Sequence, residues 1–102
     1  MPENCCIEYK SSFNDAAIET LTAFANTKGG KVIVGVDNSG RPVKGFMVGE
    51  KTVQKWVNEV KNKTQPSIIP DIEIIKRDDQ EVVEISIKEF PIKPVAFKGR
   101  YY

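Results

Sequence analysis

The residues best suited to chemistry in this chain are its cations. Lys28, Lys31, Arg41 and Lys44 lie around a glycine pair and the loop after Asp37. Lys93, Lys98 and Arg100 crowd the C-terminal end, with Phe97, Tyr101 and Tyr102 between them. Cations neutralise phosphate and aromatic faces stack on bases, so this interleaving suits nucleic acid. The competing reading is a solvated rim whose aromatics close the core, because surface lysines are the rule. A second grouping is Glu8 with Lys10, two apart and so on one face of a strand. Histidine is absent and Cys5 and Cys6 are adjacent, which argues against a structural zinc site and against a disulfide framework. They are expected to be thiols, partly buried. Any metal would be a hard cation held by carboxylates.

These groups need elements to hold them. Ala17, Ile18, Leu21, Phe24 and Ala25 recur at three and four, the face of a helix. Asn14 suits its N-cap, with Asp15 and Glu19 near the positive end of the dipole. Lys28 favours the other end, where Gly29-Gly30 can adopt the left-handed closing conformation. Val32, Ile33, Val34 and Val36 are a β-branched run typical of a buried strand. Gly35 inside it predicts a bulge or a close backbone approach. Asp37-Asn38-Ser39-Gly40 is a turn by composition, and Arg41–Phe46 is extended or loop-like, with a possible return as a hairpin. The glycine pair follows a helix, facing the negative dipole end, and lacks a GK[ST] ending, so it is no nucleotide P-loop. Asn26 is placed to bond the helix-terminal carbonyls or the loop.

Cys6–Lys10 reads as a short strand. Glu50 to about Thr64 reads as a second helix with Val53, Trp56, Val57 and Val60 as its stripe, ended by Gln65-Pro66-Ser67. Trp56 is most simply a core residue. Ile72 and Ile74, then Val83, Ile85 and Ile87, alternate with polar residues about an Asp78-Asp79-Gln80 turn, predicting an antiparallel hairpin. Pro91 and Pro94 precede a last short strand around Val95–Phe97. The order predicts an α+β fold, a mixed and mostly antiparallel sheet packed with two helices. If the last strand lies beside the central one, the two basic clusters form one surface.

One hundred and two residues, 40% hydrophobic and 28% charged, suit a single domain, residues 1–102, with a modest core. No apolar run would cross a bilayer and no signal peptide is visible, so a cytoplasmic location and no membrane partner are expected. A net charge of +1 counts against a strongly electrostatic nucleic-acid binder but leaves room for a local basic patch.

The block AFANTKGGKVIVGVDNSGRPVKG (Ala23–Gly45), EYK at Glu8–Lys10, KPVAFKGRYY at Lys93–Tyr102 and the element order between them resemble the Schlafen/AlbA-like domain. The resemblance covers nearly the whole chain. It implies binding of nucleic acid, DNA or RNA, with DNA foremost, in prokaryotic transcriptional regulators. The family pattern runs on into a further strand, so the chain is expected to be one domain of a longer protein. The resemblance also marks Glu3, Glu8 and Asp37 as positions that often carry carboxylates, implicated in RNA cleavage in Schlafen proteins. A metal-dependent nuclease would hold Mg or Mn there, with Lys10 stabilising developing charge. Glu3 and Glu8 are five apart, however, and converge only if the chain bends at Asn4-Cys5. The plainer reading makes Glu8 and Lys10 a solvated pair and Asp37 a turn cap. A third expectation is a dimerisation or interaction module, its exposed sheet edge pairing with a second copy or with further domains of the same protein.

Overall fold

The computed structural model describes residues 6–91 and 94–98 together with the backbone of 100–101. Glu3 and Lys93, both expected to be functional, lie outside the described residues. In chain order the elements are β1 (Ile7–Lys10), α1 (Asp15–Ala25), β2 (Gly29–Val34), α2 (Glu50–Lys63), β3 (Thr64–Gln65), β4 (Asp71–Arg77), β5 (Gln80–Lys88), β6 (Ala96–Phe97) and β7 (Arg100–Tyr101).

Four strands form one sheet in the order β1-β2-β5-β4. β1 runs parallel to β2, whereas β2–β5 and β5–β4 are antiparallel, so the sheet is mixed and mostly antiparallel. With two helices this is the expected α+β fold. Val32 and Val34 of β2 and Val83, Ile85 and Ile87 of β5 point into one core with Ile18, Leu21 and Phe24 of α1 and Val60 of α2. Both helices therefore cover the same face of the sheet. Ile33 points the other way and joins Val36, Val82, Ile7 and Ile75 in a smaller apolar cluster on the opposite, open face. A strand buried on both sides reads as a continuous β-branched run rather than an alternating one.

Local signals set the ends of the elements. The Asn14 side chain caps α1, its Oδ1 accepting from the Ala16 N–H at 3.0 Å. Past the helix, Gly29 takes φ +83°, and a Cβ there would lie 2.7 Å from the Ile87 carbonyl oxygen. Glycine thus serves both the turn and the approach of β2 to β5. At Gly35 the N–H groups of Gly35 and Val36 both donate to the Lys10 carbonyl, at 2.8 and 3.2 Å. Two residues opposing one is a bulge, and it carries Val36 to the open face while Val34 faces the helices. The chain then turns at Asp37–Arg41 and returns, with Val36 bridging Pro42. That short hairpin matches the return expected for Arg41–Phe46.

α2 buries only Val60 completely, and Trp56 is half-buried with its ring stacked 4.5 Å from that of Phe13. Its C-cap is Thr64, whose hydroxyl donates to the Val60 carbonyl and accepts from the Ile68 N–H. The C-terminal segment departs from expectation. β6 does not lie beside β2; it pairs with β3 and β7 in a separate three-stranded sheet of order β3-β6-β7. A two-residue pairing between β3 and a strand 30 residues away leaves no periodic trace in the sequence. Among the described residues no helix is long and apolar enough to cross a membrane.

Candidate nucleic-acid interface

Five of the seven expected cations have described side chains, and these occupy three places. Lys28 and Lys31 sit at the start of β2. Arg41 and Lys44 are exposed at and after the turn beyond the other end of that strand. From Lys31 to Val36, which bridges Pro42 beside Arg41, is five residues of chain, on the order of 15 Å at about 3.3 Å per residue. Lys98 belongs to neither pair. Its ammonium lies 2.7 Å from Asp15 Oδ2, while Lys63 from the end of α2 lies 2.8 Å from Asp15 Oδ1. This triad joins the start of α1, the end of α2 and the β6–β7 turn. The bonds from Lys63 and then Lys98 hold the Asp15 carboxyl below its ordinary value, and Asp15 in turn raises Lys63. Arg100 has its backbone in β7, and Lys93 lies outside the described residues. The last strand belongs to the other sheet, so the arrangement from which a single basic surface was expected, that strand beside β2, is absent among the described residues.

The carboxylates are dispersed as well. Glu8 is exposed on β1 opposite Val32, and Lys10 is half-buried opposite Val34, so the pair does share one strand face. Asp37 lies five residues beyond Val32, past the bulge, on the order of 15 Å of extended chain. Its Oδ1 accepts from the Ser39 N–H at 2.9 Å, the Ser39 hydroxyl at 2.8 Å and the Arg41 N–H at 3.0 Å. Those bonds, that from Arg41 first, lower its pKa. Asp37 is thus a turn cap. Among the described residues no group of three or more acidic, Cys or His side chains is arranged to hold a metal. Glu8 and Asp37 as placed do not fit a shared Mg or Mn ion, whose oxygen ligands stand about 2.0–2.6 Å from it.

What the fold does bring together is a lysine corner on the open sheet face. A shallow depression of about 390 Å³ at the start of β2 is lined by Cys6, Ile7, Lys28, Lys31 and Ser86 among others. In register, Lys31 faces Ser86 and Gly29 faces Lys88. Lys31 and Lys88 are therefore diagonal neighbours on one face, about 7–8 Å apart. Lys31 makes a half-exposed contact of 3.4 Å with Glu84. Lys28 and Lys88 are exposed and form no ion pair with a described residue. Lys88 was missed by sequence reasoning; alternation with Ser86 along β5 marks its face, but only the register to Gly29 brings it beside Lys31. The β4 side of the same face is acidic, because Asp71 and Glu73 face Ser86 and Glu84. Half-buried Cys6 lies at the edge of this corner, and Cys5 lies outside the described residues.

The fold is shared with solved structures, including these two. The N-terminal domain of a RecG-related protein from Nitrosomonas europaea, named for its relation to an ATP-dependent DNA helicase, superposes with a TM-score of 0.72 at 24% identity, over 87% of this chain and 66% of that one. The DIP2311 protein from Corynebacterium diphtheriae gives a TM-score of 0.66 at 17% identity, over 90% of this chain and 19% of that one. The chain thus spans less than two thirds of either. None of the curated proteins matches it. The family model described as Schlafen, AlbA_2 matches residues 3–102. With that match over nearly its full length, the chain belongs to the Schlafen AlbA_2 family.

Proposed function

We propose that this domain binds nucleic acid through the lysine corner formed by Lys28, Lys31 and Lys88. DNA is the class the family resemblance implies, and a larger DNA-acting protein, such as a transcriptional regulator, is the setting it suggests. The observation that carries the reading is that Lys28 and Lys31 line one hollow at the end of the sheet while the β2–β5 register puts Lys88 diagonal to Lys31, and that among the described residues only Lys31 of the three pairs with a carboxylate. Membership of the AlbA_2 family supports it, as does the shared fold with a domain from a protein named for a DNA helicase. Three lysines are enough for local phosphate contact without a high net charge.

Titrating the chain with labelled DNA and RNA over a salt series tests this. Three phosphate contacts predict a log–log salt slope between about −2 and −3. Replacing Lys31 by Ala should weaken binding and make the slope shallower by about one. Binding that keeps its affinity and slope after substitution of all three lysines would refute the assignment.

A further inference from the structure

Two depressions meet at the C-terminal end of β5. One is the lysine-lined hollow. The other, about 410 Å³, is lined by Ile69, Phe90 and Pro91, with Lys88, Asp71 and Glu89 also at its walls. Ser86 and Ile87 line both, so the two are adjoining parts of one trough that crosses the strand. Their chemistries differ. The first part is cationic, and Lys88, diagonal to Lys31, carries that charge into the wall of the second. The second offers Ile69, 66% exposed, beside half-buried Phe90. Asp71 is exposed, faces Ser86 across the β4–β5 pair and makes no ion pair with a described residue.

A polymer with phosphates on one side and planar, amino-bearing rings on the other has the same polarity. We infer that the trough takes single-stranded nucleic acid, with backbone phosphates at Lys28, Lys31 and Lys88 and one unstacked base against Ile69 and Phe90. Asp71 accepts a hydrogen bond from the exocyclic amino group of that base. This rests on the binding reading of the lysine corner and adds to it the strand state and the base chemistry. A duplex keeps its bases stacked and paired, and its second backbone would meet the acidic side formed by Asp71, Glu73 and Glu84. Among pyrimidines the carboxylate discriminates, because cytosine presents an N4 amino donor where thymine presents the O4 acceptor.

The test is fluorescence anisotropy at neutral pH with the 102-residue chain. The probes are labelled oligo(dC), labelled oligo(dT) of equal length, and a duplex of that length. Oligo(dC) should bind about three- to tenfold tighter than oligo(dT), the equivalent of one net hydrogen bond, and both single strands tighter than the duplex. Asp71→Asn, whose amide both donates and accepts, should bring dC and dT to within about twofold at an unchanged salt slope. Asp71 is exposed on an edge strand, and circular dichroism checks that the variant remains folded. Equal affinity for dC and dT, or a duplex bound as tightly as the single strands, would overturn the inference while lysine-dependent binding stands. No binding of any probe by the folded chain would overturn both.

Discussion

Two aspartates show how a carboxylate in this domain is committed to structure. Asp37 and Asp15 both titrate below the ordinary aspartate value, Asp37 because the Arg41 N–H and Ser39 hydroxyl bond it, Asp15 because Lys63 and Lys98 do. A depressed folded pKa adds stability above the unfolded value, near 3.9, and that stability is lost as pH falls through the folded pKa. Lys63 is shifted upward, so its contribution is complete below the unfolded lysine value and is lost as pH rises through the folded one. Asp15→Asn should therefore lower Tm at pH 7, less so in high salt because the pairs are solvent-exposed, and the deficit should shrink toward pH 2. An equal deficit at both pH values would mean that Asp15 acts by packing or capping rather than by charge. Lys98 is engaged with Asp15 in the same way.

The central element pair, α1 and β2, was largely legible in the chain. The three–four spacing from Ala17 to Ala25, the Asn14 cap, and glycines placed at a turn and inside a β-branched run each have one cheap structural solution. Gly35 illustrates this. It sits at φ +96°, and a Cβ there would lie 2.6 Å from the Phe46 ring. Gly35→Ala should destabilise the domain by about 1–3 kcal/mol, read as a fall in the denaturant midpoint. Asn26 was legible only as a residue needing a partner. Its side chain donates to the Val95 carbonyl at 2.9 Å and accepts from the Val95 N–H at 2.6 Å, tying the end of α1 to the segment before β6. Asn26→Ala leaves both backbone groups of buried Val95 without that partner and should cost about 1–3 kcal/mol, or roughly 4–8 °C of Tm per kcal/mol. A Tm unchanged by the substitution would show that water replaces the amide.

Across the whole molecule, what the sequence hid was long-range pairing. Periodicity places residues on a face, but it does not say which strand lies beside which. β6 joins β3, a two-residue strand at the end of a helix, and Lys98 after it reaches Asp15 at the start of α1 rather than the open sheet face. The register of β5 against β2 does the opposite and adds Lys88 to Lys28 and Lys31. The surface that results is small, one-sided and bounded by acid on the β4 side, which fits a net charge of +1 better than a broad basic platform would. Its location is the central claim, and an NMR titration of the isotope-labelled chain with an oligonucleotide tests it most directly. Amide shifts should move at residues 28–31 and 86–88. Shifts confined to the Asp37–Lys44 turn, or to Lys98 and its neighbours, would contradict it.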